Sequence, residues 1–157
     1  MRAADEKPRD RASVIPLRPH HLLCLHGFRG LGYSDAFVAN MRQVKERLEA
    51  DSTIVEVRPA PDAICTACPH LHTRPQCTRD GGSDRDRAVA AALGIVPGTV
   101  QSWQYWVALV ARRMSPALMA EICGDCSWFP LGYCVEGIAA LRRGKQPTLT
   151  RPAGASW

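Results

Sequence analysis

The chain has 157 residues, of which 46% are hydrophobic, so it is long and apolar enough to fold as one domain without relying on cross-links. Its formal net charge of +5 lies at the ends, because residues 1–14 sum to +1, residues 142–157 to +4, and residues 15–141 to zero. The neutral centre argues against a dedicated nucleic-acid-binding domain and leaves only weak, non-specific attraction of polyanions by the basic C-terminal end.

Neither export nor membrane insertion is indicated. The first residues, MRAADEKPRDRAS, are charged and lack the apolar stretch of a secretory signal. The longest apolar run, residues 106–111, is too short to cross a bilayer. We therefore expect a cytoplasmic protein with no membrane contact, where the reducing environment disfavours disulfides. The odd number of cysteines, seven, also fits a disulfide framework poorly.

The first half of the chain predicts a flexible tail over residues 1–13 and then a folded domain over 14–143. Pro19 is suited to the first turn of a helix, because its missing N–H would be unpaired there. Ser34 is a helix-start signal, and a β-branched run follows later and ends at Pro59. In chain order we predict strand, helix, helix and strand over residues 14–17, 19–28, 35–48 and 53–58.

The second half predicts four helices, and a flexible basic tail over residues 144–157 completes the chain. Ser83, Ser102 and Ser115 precede three of these helices, while Gly94 and Gly144 are helix-stop signals. The four predicted helices cover residues 84–93, 103–114, 116–123 and 133–143. We thus predict a mainly α fold, α+β with two short strands, forming a small single domain with two cysteine-bearing loops.

Six cysteines form two sets of nearly identical spacing. The first cysteine set is Cys65-x2-Cys68-x8-Cys77, and the second cysteine set is Cys123-x2-Cys126-x7-Cys134. A CxxC turn directs two sulfurs at one point, and a third cysteine shortly afterwards supplies another ligand. We therefore expect these six residues to bind metal as thiolates. The alternative, that they are simply small buried apolar residues, accounts poorly for the repeated spacing.

Three features favour an iron–sulfur cluster over zinc. Each set is a triad, whereas a zinc ribbon pairs two CxxC turns. The gaps of 7 and 8 residues are shorter than the ~12–20 residues between zinc half-sites. The flanking residues are apolar and would shield bound sulfide from water. These flanking residues are Ile64 and Ala67 at the first set and Ile122, Trp128, Phe129 and Leu131 at the second.

The seventh cysteine, Cys24, lies in an apolar helical stretch and is either a further ligand or a core residue. Together with one triad it would complete a four-thiolate site, leaving the other triad to be completed by histidine, solvent or a substrate. A single cluster that uses four of the seven cysteines is the other arrangement. Either way, the cofactor would be one or two iron–sulfur clusters, with a [4Fe–4S] cluster favoured.

Histidines near the cysteines are candidates for a non-cysteine ligand. His20 and His21 precede Cys24 by one helical turn and therefore share its face of the helix. His70 and His72 lie between Cys68 and Cys77. Each histidine is otherwise a surface or hydrogen-bonded residue. Two acidic residues also flank the sets, Asp62 and Asp125, and for these we expect the ordinary roles of turn residues or caps.

Three blocks of the sequence resemble the bacterial and archaeal DUF1284 family. They are RPHHLLCLHGFRGLGYS at residues 18–34, DAICTACP at 62–69 followed by Cys77, and CGDCSWFPLGYC at 123–134. The resemblance extends over about residues 15–140. It implies an iron–sulfur-binding protein without an established activity, and it implies that all seven cysteines are the family's cysteine positions.

Our leading hypothesis is therefore an iron–sulfur protein acting in electron transfer, redox sensing or cluster handling, with an unidentified redox or protein partner. The alternative is a zinc-stabilised structural or interaction module without redox chemistry. If one triad leaves an iron without a protein ligand, that iron could bind a substrate as a Lewis acid, which would make the protein an enzyme. The sequence contains no phosphate-binding loop, GxSxG or HExxH motif, and we assign no catalytic residue.

Overall fold

Three short strands form one mixed sheet in the computed structural model, which describes residues 14–50 and 53–144. Strand β1 (Val14–Leu17) pairs in parallel with β2 (Ile54–Val57), which pairs antiparallel with β3 (Thr99–Ser102). The connection from β1 to β2 contains two helices, as a parallel crossover requires. The two predicted tails lie outside the described residues except for Gly144.

Helices account for most of the remaining described chain. In order they are α1 (His21–Gly27), α2 (Asp35–Glu49), α3 (Pro75–Thr78), α4 (Asp84–Leu93), α5 (Trp103–Arg113), α6 (Pro116–Cys123) and α7 (Tyr133–Arg142). Short 3₁₀ turns occur at Cys65–Ala67 and Phe129–Leu131. No helix in the described ranges is long and apolar enough to cross a membrane.

Serine caps begin four of these helices, as the sequence predicts. Ser34, Ser83, Ser102 and Ser115 each accept a backbone N–H three residues later through their hydroxyl oxygen. Each bond satisfies one of the N–H groups that a helix leaves unpaired at its first turn. At Ser83 the cap is reciprocal, because the carboxylate of Asp86 accepts the backbone N–H of Ser83 in return.

The mainly α, α+β fold class is confirmed, with some differences in detail. Strand β3 was not predicted, because a four-residue TVQS segment carries little strand signal until β2 is present to pair with it. The first helix begins at His21 and not at Pro19, since residues 18–20 form a tight turn. The first predicted cysteine loop also contains local helix, because Cys77 lies on α3, whereas Cys123 at the end of α6 and Cys134 on α7 lie where the sequence predicts helix.

Helix α1 lies at the centre of the domain and packs against α7 and α5. Its apolar residues Leu22, Leu23 and Leu25 are almost fully buried. Two glycines permit a close approach between α1 and α7. A Cβ on Gly27 would lie 2.6 Å from Cys134 Sγ, and a Cβ on Gly137 would lie 2.1 Å from the carbonyl oxygen of His26. The crossing therefore brings Cys24 of α1 towards the cysteine of α7.

Candidate metal centre

Both cysteine sets face one cavity of about 110 Å³, named here the shared cavity. Sequence-distant elements meet around it, including the end of β1, helix α1, the segment 64–77 and the first turn of α4. Five of the seven cysteines line it: Cys24, Cys65, Cys68, Cys77 and Cys126. Of the remaining two, Cys134 lines a second, smaller cavity together with Cys24, and Cys123 is buried at the end of α6.

Cys24 joins the second cysteine set to form a four-cysteine group. Burial raises the pKa of the Cys24 thiol well above its usual value, and nearby Cys134, Cys126 and Cys123 raise it further. Burial likewise raises the pKa of Cys123 and Cys134, each to about 11. The four thiols therefore lie close enough for their charges to interact. Deprotonation of Cys24, Cys123 and Cys134 is favoured when a cation compensates that charge, which is the behaviour of a thiolate metal site.

The local fold explains how the four-cysteine group forms. Cys123 ends α6, and the N–H of Cys126 donates to the Cys123 carbonyl at 2.9 Å, closing the CxxC turn. A 3₁₀ turn then leads into α7, where Cys134 is the second residue. Cys134 fits against α1 only because Gly27 has no side chain.

The first cysteine set has a second CxxC turn, in which the N–H of Cys68 donates to the Cys65 carbonyl at 3.0 Å. The buried guanidinium of Arg18 contacts two residues of this set. Its Nη1 lies 3.9 Å from Cys65 Sγ and donates to the Cys77 carbonyl at 2.7 Å. Burial and the charge of Asp62 raise the pKa of the Cys65 thiol to about 12. The thiol of Cys65 therefore also gains from a cation that compensates its charge on deprotonation.

A histidine and a carboxylate accompany this set. Among the described residues, one group of three potential ligand side chains has its ligand atoms within 4.8 Å of one another: His21, Asp62 and Cys65. His21 Nδ1 lies 2.6 Å from Asp62 Oδ2. An imidazole fixed through Nδ1 to a carboxylate leaves Nε2 as its other coordinating atom, the usual arrangement of a metal-binding histidine. His21 lines the shared cavity, so this orientation suits a ligand role.

Asp62 is already occupied as an acceptor and is better suited to orienting His21 than to binding metal. Its carboxylate also accepts the backbone N–H groups of Arg18, Ile64 and Cys65. Burial alone would raise the pKa of Asp62, but His21 and these N–H groups lower it to about 2. The predicted turn role of Asp62 is therefore present, and the sequence reasoning missed its second role at His21.

His20 has an equivalent partner. His20 Nδ1 lies 2.5 Å from Asp86 Oδ1, and Asp86 also accepts from Arg18 Nε at 2.9 Å and Nη2 at 2.7 Å. Burial opposes the charge of Asp86, yet His20 and Arg18 hold the pKa of its carboxyl well below the usual range. Asp86 was missed in the sequence because its position in a first helical turn is explained fully by capping.

An aromatic cluster lies between the two cysteine sets. The ring of Tyr33 packs edge-on against His70 at 4.5 Å and lies tilted against Trp128 at 4.9 Å, measured between centroids. Burial raises the pKa of Tyr33, while Arg74 opposes this, and the nearby Cys126 and Cys68 add to the rise. Tyr33 therefore lies near one cysteine of each set. His70 lines the shared cavity, whereas His72 is exposed and does not.

Arg85, at the second position of α4, borders the four-cysteine group. Its Nη2 donates to the exposed carboxylate of Asp125 at 2.9 Å, so this is the role found for Asp125. Its Nε is buried and has no hydrogen-bond partner among the described residues. A buried charged donor without an acceptor is rare in folded proteins and requires an explanation.

The residues present fit a thiolate-bound metal group in three respects. The donor set contains four thiols whose charges interact, and Arg85, whose buried Nε–H has no acceptor among the described residues, lines the cavity beside two of them. A Cβ at Gly27 would fill the space that Cys134 Sγ occupies. Thiolate and sulfide sulfurs accept hydrogen bonds of this kind at iron–sulfur sites.

The fold and the clustered thiols define a small α+β protein of the cysteine-rich class. The chain belongs to the family described as "Protein of unknown function (DUF1284)", whose profile matches residues 32–132. The resemblance drawn from the sequence blocks is thereby confirmed. Searches of the curated proteins and of the solved structures found no match.

Proposed function

We propose that this protein binds an iron–sulfur cluster at the four-cysteine group, with a [4Fe–4S] cluster favoured by the four thiolates. It would act in electron transfer, redox sensing or cluster handling with a redox or protein partner. The observation that carries the proposal is the approach of Cys24, on α1, to all three cysteines of the second set. A cytoplasmic location is part of the proposal, because reduced thiols persist there.

The first cysteine set is proposed to hold a second metal group with histidine as the additional ligand. Three thiols and two carboxylate-bound imidazoles, those of His20 and His21, line the same cavity. His21 is the stronger candidate because it lies within 4.8 Å of Cys65. Bound metal at these two sites would supply the redox chemistry, while the chain supplies ligands, their orientation and an apolar enclosure.

The sulfur arrangement argues against a single zinc ion at the four-cysteine group. With Zn–S bonds of about 2.3 Å, the sulfurs of a tetrahedral zinc site lie about 4 Å apart. Within residues 14–50 and 53–144, no three cysteines have sulfurs within 4.8 Å of one another. A polynuclear group separates its ligands more widely. Zinc remains the second candidate at the first set, because His21 and Cys65 meet within single-ion distance.

The proposal is tested by purifying the full chain without oxygen and measuring iron, acid-labile sulfide, zinc and the visible spectrum. We expect a broad brown absorbance with near-equal iron and sulfide. Cys24→Ser should lose iron and sulfide from the four-cysteine group, while Thr66→Ser, a conservative change at an exposed residue inside the first CxxC, should retain both. A colourless wild-type protein that contains zinc and no sulfide would refute the cluster and favour the zinc module.

A further inference from the structure

The Arg85 side chain spans from the protein surface to the four-cysteine group. At its outer end, Nη2 meets Asp125, whose side chain is 84% exposed. The Arg85 side chain itself is 25% exposed and lines the shared cavity beside Cys24 and Cys126. Its Nε, nearer the backbone, is buried without a partner among the described residues. The inner half of this side chain therefore carries an unused donor, and the side chain lies at the cavity that two of the thiols line.

The charge of Arg85 acts on the same thiols. Arg85 lowers the pKa of Cys24 and of Cys123, opposing their burial. Burial also disfavours the guanidinium charge, but Asp125, Cys126 and Cys24 favour it and leave the pKa of Arg85 raised. Arg85 is consequently a permanent cation at the four-cysteine group. The ion pair with Asp125 does not by itself explain why Arg85 lies at the four-cysteine group, since exposed ion pairs contribute little to stability.

We propose that Arg85 is a positioning residue that donates its buried Nε–H to a sulfur of the group bound by Cys24, Cys123 and Cys126, and so raises the reduction potential of that group. The inference rests on the proposed cluster function. Hydrogen bonds to sulfur and nearby charge are among the main determinants of iron–sulfur potentials. Reduction adds a negative charge, and a fixed cation stabilises the reduced form more than the oxidised form.

A neighbouring arginine on the same helix provides a matched control. Arg87 is two residues further along α4 and is half exposed. It pairs with Asp84 and donates to the Gly82 carbonyl, and it does not line the shared cavity. Arg87→Gln therefore removes the same charge from the same helix without touching the four-cysteine group.

The experiment compares the full chain with its Arg85→Gln, Arg85→Lys and Arg87→Gln variants, all purified without oxygen. Iron and sulfide content is measured first, and the midpoint potential is then obtained by redox titration followed in the visible spectrum. We expect Arg85→Gln to shift the potential to a more negative value and Arg87→Gln to leave it unchanged. Arg85→Lys should give a smaller negative shift, because it keeps the charge but lacks the Nε–H of the guanidinium.

The outcomes separate this inference from the proposed function. Wild-type protein without iron and sulfide would refute the cluster itself. Wild-type protein with a cluster, and with the same potential in Arg85→Gln, would overturn the role of Arg85. If Arg85→Gln fails to fold or to load, Arg85→Lys decides: a potential equal to that of wild type contradicts the Nε–H bond, whereas a negative shift supports it.

Discussion

Arg18, His20 and Asp86 show how much of this site depends on single buried groups. Arg18 is 2% exposed and Asp86 is fully buried, and the two are joined by two hydrogen bonds. Arg18 also contacts the first cysteine set, and Asp86 orients His20. A buried charge pair adds little net stability, but the loss of one partner strands the other charge in the interior. Substitution of either Arg18 or Asp86 is therefore expected to destabilise the fold.

Asp86→Asn should lower the free energy of unfolding by about 3–5 kcal/mol, because Arg18 keeps its charge without a counterion. Asp84→Asn, two residues earlier on α4, is the matched control. The Asp84 side chain is 87% exposed and pairs only with surface arginines among the described residues, so its loss should change stability by about 0.5 kcal/mol or less. Urea unfolding of both variants measures the difference. Equal losses in the two would contradict the proposed role of the buried pair.

His26 is a second buried residue, and its burial makes the stability of the fold depend on pH in the acid range. It is 7% exposed, stacks on Trp103 at 5.7 Å, and its Nε2 has no partner among the described residues. Burial and the charge of Lys45 lower the pKa of His26 to about 3. In the unfolded chain its pKa is about 6.5, so the unfolded state takes up the proton first as the pH falls.

The His26 contribution to stability is therefore complete above about pH 6.5 and is lost as the pH falls towards 3, by at most about 1.4 kcal/mol per pH unit. His26→Phe keeps an aromatic ring against Trp103 and removes this titration. Chemical unfolding of both proteins from pH 7 to pH 4 should show the variant gaining relative stability at the acid end. A constant difference across that range would show that His26 is not buried in its neutral form.

Single residues also mark the limit of sequence reasoning at this site. The cysteines and the pair His20 and His21 could be predicted, because ligand chemistry and spacing are visible in the chain. Arg85 and Tyr33 could not, since nothing in their local sequence relates them to cysteines that lie 35 or more positions away. Their proximity arises only from tertiary packing.

At the level of elements, the crossing of α1 and α7 determines the four-cysteine group. Gly27 and Gly137 face the opposite helix at distances that exclude any side chain. Within an isolated helix, replacement of glycine by alanine would be stabilising by up to about 1 kcal/mol. At this crossing the new methyl group would meet backbone atoms, which cannot move aside as a flexible side chain can. The steric clash therefore outweighs the gain in helix propensity, so each substitution should destabilise the protein.

Gly27→Ala and Gly137→Ala should each destabilise the protein by about 1–3 kcal/mol. Gly27→Ala should in addition reduce iron and sulfide content, because its methyl group would overlap Cys134 Sγ. Gln104→Ala, at an exposed position of α5, is the control for alanine in a helix and should leave both measurements nearly unchanged. Thermal unfolding and iron analysis provide the readouts. Normal iron content in a folded Gly27→Ala protein would argue against the four-cysteine group as the site.

Most helices were predictable because their signals are local. Serine caps, a proline at the first turn of α6, and glycine stops act within a few residues of the helix ends. Strand β3 and the 3₁₀ turns carry weaker local signals and depend on partners distant in the sequence. The role of Gly27 could not be predicted for the same reason, since a glycine within a helical sequence indicates only a local loss of helix propensity.

At the scale of the whole molecule, both cysteine sets contribute to the lining of one cavity, and Tyr33 lies near one cysteine of each set. The similar spacing of the sets indicated a common chemistry. It did not indicate whether they form one site or two, because that depends on the tertiary arrangement. The position of Cys24 with the second set, and of His21 with the first, supports two.

Two independent sites predict partial losses of metal. Cys126→Ser should remove the metal bound at the four-cysteine group and leave that of the first set, while Cys68→Ser should do the reverse. Metal and sulfide analysis of both variants, each confirmed as folded by circular dichroism, measures the remaining stoichiometry. If either variant alone loses all metal, the seven cysteines hold one common group and the two-site arrangement is wrong.

The packing of α1 against α7 also constrains how the chain assembles during translation. The ribosome releases His21–Gly27 well before Tyr133–Arg142. Until then, the nascent α1 has an uncovered apolar face and Cys24 has no neighbouring sulfur from residues 123–134. Binding of the proposed metal by all four cysteines therefore requires that Cys134 has been synthesised, and a chain stalled before that point would expose the Cys24 thiol to chaperones and oxidants.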